Sequence, residues 1–357
     1  MIGGMRRASP ALLVFLWLLL PAPAPAAEPA FALVNPGEAE ALARQKPSAA
    51  RAQAIRFADR VLGRLPHAMT RVHVEGTLPH HGIHDESREA LRDFPAARDL
   101  ALAARLTGDA RYGQAAARFI AAWTETYRPS FNPIDETGFD ALILAFDLLP
   151  DVEKAPLAEP ARRFWRTLAK GYLDRMPTLE GGTATNNWQS HRVKLATLAA
   201  FAAGEPDLVA RARQAYAAQL AANLRPDGSC IDFAQRDAIH YVVYDLEPLA
   251  AAALAARRHG EDWYALAAPS GAALPRSLDW LAPYADGRLR HAEFLHTTVR
   301  FDEERREAGL AGFAGDFDAK AARDLFAMAA RLDARYAALS RKLGSTGPWL
   351  DLLWPLP

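Results

Sequence analysis

The chain of 357 residues has a single cysteine, Cys230. One thiol cannot close an intrachain disulfide, so the fold must be held by a packed core, which a chain of this length can build. β-Branched residues are sparse, and no alternating apolar–polar run of any length occurs. That pattern argues against sheet architectures. Basic and acidic residues balance at 42 each, and neither sign gathers into a block. Without a basic block to follow a phosphate backbone, no nucleic-acid partner is expected. Long apolar runs are equally scarce. The one that stands out, residues 11–20, is ten residues long, short of the roughly 20 needed to span a bilayer.

That short run has the setting of an export leader. Arg6 and Arg7 precede it, and small residues ending in Ala24, Pro25 and Ala26 follow it. A positive start, a brief apolar stretch and an A-x-A-like ending are the marks of a secretory signal peptide. Residues 1–26 are therefore expected to be a cleaved leader. The remainder, 27–357, is expected to be one periplasmic or secreted domain without stable membrane insertion.

What the chain has in abundance is alanine and leucine, recurring at helical spacing. The periodicity, with its capping and breaking residues, predicts helices over 50–65, 90–106 (with Pro95 as an interruption), 110–127, 136–149, 160–175, 186–203, 206–224, 236–259, 277–284 and 319–342. Asp109 and Asn186 are suited to N-caps, Gly108 and Gly204 to C-terminal stops, and Pro226-Asp227-Gly228 to a turn. Pro248 is expected to kink the helix that contains it. No sustained repeat argues for an open solenoid. The expected architecture is all-α, an (α/α) toroid: an incomplete barrel of antiparallel helical hairpins with a cleft rimmed by loops.

Several clusters exceed what helix building requires. Asn186-Asn187-Trp188 opens a predicted helix, and Asn187 and His191 are spaced to share its face. A helix start favours anions, so a carboxylate is expected between Asn187 and His191, with Trp188 as a platform for a sugar ring. Arg236, His240 and Tyr244 are spaced at i, i+4 and i+8, one polar stripe if a single helix carries them, and Tyr241 lies about 60° around from Tyr244. The segment 71–88 adds His80, His81, His84, Asp85 and Arg88, suited to lining a cleft for an acidic sugar. His80, His81 and His84 have metal-like spacing but no complete ligand set, so neither metal nor cofactor is expected. His291, Glu293 and His296 form a later cluster. Trp123, Tyr127, Asp135, Glu136 and Asp140 are read as capping and packing residues.

Two segments carry a resemblance. TNNWQSHRVKLATLAAFA, residues 185–202, resembles the Asn-Asn-His/Trp helix start of the alginate-lyase superfamily of polysaccharide lyases. RDAIHYVVYDLEPLAAAALAA, residues 236–256, is similar to that family's Arg…Tyr-His-x-Tyr-x-Leu-x-Pro-Leu segment. The resemblance implies an α/α toroid that cleaves alginate or a related polyuronide such as glucuronan by β-elimination, leaving 4,5-unsaturated uronate ends. It matches Tyr244 to the family's catalytic tyrosine, Asn187 to its carboxylate-neutralising asparagine and, with one residue of slack, Arg236 to its arginine. Trp188 stands where mannuronate lyases carry histidine, which leaves His191 to take that role one turn later.

The residue types suit the reaction. The substrate carboxylate must be neutralised so that the C5 proton becomes acidic, which Asn187, His191 and Arg236 can do. A base must take that proton and an acid must protonate the leaving O4. Tyr244, with Tyr241 as rival, serves both roles in a syn elimination, its pKa lowered by a neighbouring arginine. His191 or His240 is the separate base in an anti elimination. Two other readings stay open at this point. A glycoside hydrolase on the same frame needs two facing carboxylates, and a non-catalytic polysaccharide-binding scaffold needs none of this chemistry.

Overall fold

The computed structural model describes residues 1, 4, 30–344 and 347–356; the expected leader lies outside the continuous part of that range. Among the described residues the regular structure is helical, with isolated bridges in place of strands. The longer helices are α1 (Ala49–Val61), α2 (Asp93–Thr107), α3 (Ala110–Thr126), α4 (Phe139–Leu148), α5 (Ala158–Arg175), α6 (Asn187–Ala203), α7 (Pro206–Asn223), α8 (Ile239–Arg258), α9 (Leu274–Ala285) and α10 (Arg323–Leu332). No helix among them is long and apolar enough to cross a membrane.

The packing forms two layers. α2, α4, α6, α8 and α10 make the inner one, and α1, α3, α5, α7 and α9 pack outside them. The segment Trp349–Leu353 returns to α1, and Gln45 Nε2 donates to the Leu352 carbonyl at 2.5 Å, drawing the two ends of the ring together. This is the (α/α) toroid. Within the inner layer α6 is enclosed on all sides: every one of its residues except Trp188 is buried. Such a helix needs no polar face, so its alanines and leucines run around its whole circumference. A polar residue placed on it is buried too and must find a partner.

Local signals act where the sequence places them. Asp109 accepts from the Arg111 N–H, and Asn186 accepts from the Trp188 N–H at 3.0 Å. Gly204 ends α6 in the left-handed region at φ +72°. Trp123 donates to Asp93, and Tyr127 and Tyr172 donate to the buried Glu136, so this group is structural, as expected. Gly228 sits at φ +97° with the Trp280 Cβ 2.7 Å and the Arg276 carbonyl oxygen 2.8 Å from where a Cβ would lie. Gly228→Ala is expected to destabilise the protein by about 1–3 kcal/mol, from strain and overlap together. Urea unfolding of the variant against the parent measures this.

Three predicted helices are divided. Residues 236–259 form the end of a short helix, Ile231–Arg236, and then α8. Asp237 separates them in the left-handed region at φ +49°, and its N–H bonds back to the Phe233 carbonyl. Arg236, His240 and Tyr244 therefore do not form one helical stripe. The 319–342 prediction breaks at Asp333, whose side chain caps a new start at Arg335. Residues 90–106 are divided likewise into His84–Ala90 and α2, with Pro95 inside the first turn of α2, where it displaces no helical donor. Pro248 is contained within α8.

Candidate active site

A cleft of about 700 Å³ opens where α6 and α8 begin. Asn187 and Trp188 reach it from α6, and His240, Tyr241 and Tyr244 from α8. Arg236 enters from the helix before α8, Arg305 from the helix Arg300–Glu307, and Glu75, His84 and Arg88 from the segment after α1. That last wall is fixed by Asp135, which accepts the backbone N–H groups of Val74 and Glu75 and pairs with His73 Nδ1 at 3.0 Å. Of the histidine-rich loop, His84 and Arg88 line the cleft, whereas His80 and His81 are exposed outside it, His80 paired with Asp85.

The start of α6 already holds an anion. Asp232, fully buried, accepts the Asn187 N–H at 2.7 Å and its side-chain amide. A substrate carboxylate therefore does not take that position: the helix terminus is satisfied from within. Asn187 still borders the cleft, its amide group oriented by the aspartate. Asp245 braces the same junction by accepting from Ser190 Oγ at 2.7 Å and Asn223 Nδ2 at 2.6 Å. Cys230, Asp232 and Asp245 bring ligand atoms within 4.8 Å of one another, in a buried spot where both carboxylates accept these hydrogen bonds.

Arg236 is also engaged. Its guanidinium pairs with buried Asp302, lies 3.7 Å from Asp232, and stacks 3.9 Å above the ring of Tyr241. The cation expected beside Tyr244 is thus on Tyr241. A second guanidinium, Arg305, donates from Nη1 to the Tyr241 hydroxyl at 2.8 Å. Burial raises the Tyr241 pKa, and Arg236 and Arg305 pull against it. For Tyr244, burial first and then the nearby Tyr241 and Glu247 drive the phenol well up, with Arg305 alone pulling against them. Among the described residues its hydroxyl has no hydrogen-bond partner, and it borders the cleft.

His191 does not line the cleft. It is buried one turn deeper, its Nδ1 paired with Thr137 Oγ1 at 2.7 Å and its ring 4.3 Å from that of Tyr244. Burial, aided by nearby Lys194, holds it far below the usual histidine range, so it is neutral and supplies no positive charge. Together with Tyr244 it separates the cleft from an inner cavity of about 300 Å³, in which Lys194 binds Asp140 and burial lifts Glu247 to about 7.

His240, by contrast, is at the cleft. Its Nδ1 lies 2.9 Å from Glu293 Oε2, and its ring packs against Tyr241, Phe294 and Phe313. Glu293 and Arg305 are the functional candidates that sequence reading undervalued. Arg305 sits in a run of charges, RFDEERRE, that reads as a solvated helix.

Comparison with known proteins gives the family and the fold. The family model for alginate lyase matches residues 34–291. Among solved structures, an alginate lyase from Bacteroides ovatus superposes with a TM-score of 0.65 at 18% identity, over 90% of this chain and 98% of that one. Alginate lyase A1-III from Sphingomonas species A1 gives 0.52 at 16% identity, over 71% of this chain and 76% of that one. A variant of A1-III complexed with tetrasaccharide gives 0.51 at 17% identity over the same shares. No curated protein sequence matches the chain.

Proposed function

The chain belongs to the alginate lyase family and is a polysaccharide lyase, and from that premise we propose that it cleaves a uronic-acid polymer such as alginate or glucuronan by β-elimination. The observation that carries the proposal is the convergence in one cleft of Asn187, His240, Tyr241, Tyr244 and Arg305. These supply a carboxylate clamp, a base and an acid. The tetrasaccharide complex of the A1-III variant supports a substrate of several sugar units.

In this reading Arg305, Arg88 and the Asn187 amide meet the substrate carboxylate. Stabilising the charge that develops there as C5 loses its proton is the largest single contribution such a site makes. A resting base must hold a free lone pair, and a resting acid must hold its proton. His240 suits the first role, with its Nδ1 occupied by Glu293. Tyr244 suits the second: burial keeps the phenol protonated until an alkoxide develops on O4. The imidazole takes the C5 proton, the C–H electrons form the C4=C5 double bond, the C4–O4 bond breaks, and O4 takes the phenolic proton. Water then carries the proton from imidazolium to phenolate. Trp188 offers a ring face for an adjoining sugar. The leader-like residues 1–26 favour an exported enzyme acting outside the cytoplasm.

The test is ultraviolet absorbance of the new conjugated double bond during digestion of alginate, glucuronan and hyaluronan. Absorbance is expected to rise on at least one polymer. Reducing ends formed without that absorbance replace the proposal with hydrolysis.

A further inference from the structure

The late cluster around Glu293 is not a separate feature of the surface. It is strapped onto the turn that starts α8. The Phe294 N–H donates to the Asp237 carbonyl at 2.8 Å, the His296 N–H to Asp237 Oδ2 at 3.0 Å, and the Thr298 N–H to the Gln235 carbonyl at 2.8 Å. His291 Nε2 lies 2.9 Å from the same Asp237 carbonyl. These bonds carry the buried Glu293 side chain to the first turn of α8, which has no cap of its own. Glu293 Oε1 accepts the Ile239 N–H at 2.9 Å, and Oε2 faces both the His240 N–H at 3.4 Å and His240 Nδ1 at 2.9 Å.

We propose that Glu293 is a positioning residue of the lyase, fixing the tautomer of His240 so that Nε2 carries the lone pair that removes the C5 proton. A carboxylate only accepts hydrogen bonds, so the Nδ1 it faces must carry the hydrogen. In the neutral ring this leaves Nε2 bare. The backbone donor on Oε1 prevents the carboxylate from rotating away. The aromatic rings of Tyr241, Phe294 and Phe313 hold the imidazole in place. Base and orienter come from segments 53 residues apart in sequence, each side chain placed by a different part of the fold. The inference rests on the reading of the cleft as the site of elimination.

Glu293→Gln tests it. The amide oxygen is expected to keep the Ile239 N–H, which turns the amide NH₂ toward His240 Nδ1. That group donates, so the ring must move its hydrogen to Nε2, the wrong tautomer. On alginate or glucuronan, kcat is expected to fall by roughly 100-fold or more, the scale of a general base, with KM changed less than about threefold. His240→Ala is expected to lose a similar amount, and the double variant no more than the larger single loss, since the two act as a unit. The ¹⁵N shifts of His240, read without substrate, are expected to show hydrogen on Nδ1 in the parent and on Nε2 in Glu293→Gln. Hydrogen on Nε2 in the parent overturns the proposal. So does a Glu293→Gln variant with parental kcat beside an inactive His240→Ala. A parent that forms no unsaturated product on any polyuronate overturns the reading of the cleft instead, and the shifts still decide the pairing of Glu293 with His240.

Discussion

Tyr244→Phe is expected to lower kcat by about 10³-fold while leaving the melting temperature within about 1 °C of the parent. The first expectation follows from the acid's role. The alkoxide leaving from C4 is a poor leaving group unless protonated, and a positioned acid contributes some 10²–10⁴-fold. The second follows from the hydroxyl's surroundings: with no partner among the described residues, its loss strands no donor or acceptor. Tyr241→Phe is the control. Its hydroxyl receives the Arg305 N–H at 2.8 Å, so deletion frees a guanidinium nitrogen at the cleft wall, and the expected loss is smaller, about tenfold. Initial rates of double-bond formation on one polymer, with calorimetry on the same samples, compare the two. An active Tyr244→Phe beside an inactive Tyr241→Phe moves the acid role to Tyr241.

Arg305→Ala is expected to reduce kcat/KM by about 10²–10³-fold, equivalent to roughly 2.7–4 kcal/mol of transition-state stabilisation, the range seen when one preorganised donor to a developing oxyanion is removed. Arg236 cannot substitute. It is neutralised by Asp302 and Asp232, and its guanidinium is spent on the ring of Tyr241. Arg305 lies 3.7 Å from the same Asp302 but keeps a fifth of its side chain exposed toward the cleft. Arg305→Lys separates charge from geometry. An ammonium restores the sign of the field but not the planar fork that can grip a carboxylate and hold a phenol together. Partial recovery, to within about 30-fold of the parent, is expected in steady-state kinetics. Full activity of Arg305→Ala rules out a role for this residue on the substrate carboxylate.

The sequence located the start of α6, and the start of α8 to within three residues, because those signals are local. Asn186 caps α6 through a bond two residues away, and the apolar spacing of 239–258 needs no knowledge of its neighbours. Trp188, His240, Tyr241 and Tyr244 follow from those starts and do reach the cleft. His191 shows where local reasoning misplaces a residue. Four residues from Asn187, it shares a helix face but lies about 6 Å farther along the axis. On an inner helix that distance carries it past Tyr244 to the inner cavity. The stripe of Arg236, His240 and Tyr244 dissolved because the left-handed turn at Asp237 is stabilised by the distant strap at 291–298.

Helix content and the residues near the mouths of α6 and α8 were set by periodicity, composition and, for α6, its cap, interactions spanning a few residues. Which anion occupies the start of α6, which arginine faces the cleft, and which carboxylate holds His240 were decided only when segments 45 to 66 residues apart came together. A charge has no periodicity that reveals its partner. Its role depends on what lies within a few ångströms once water has been excluded, and only the tertiary fold supplies that.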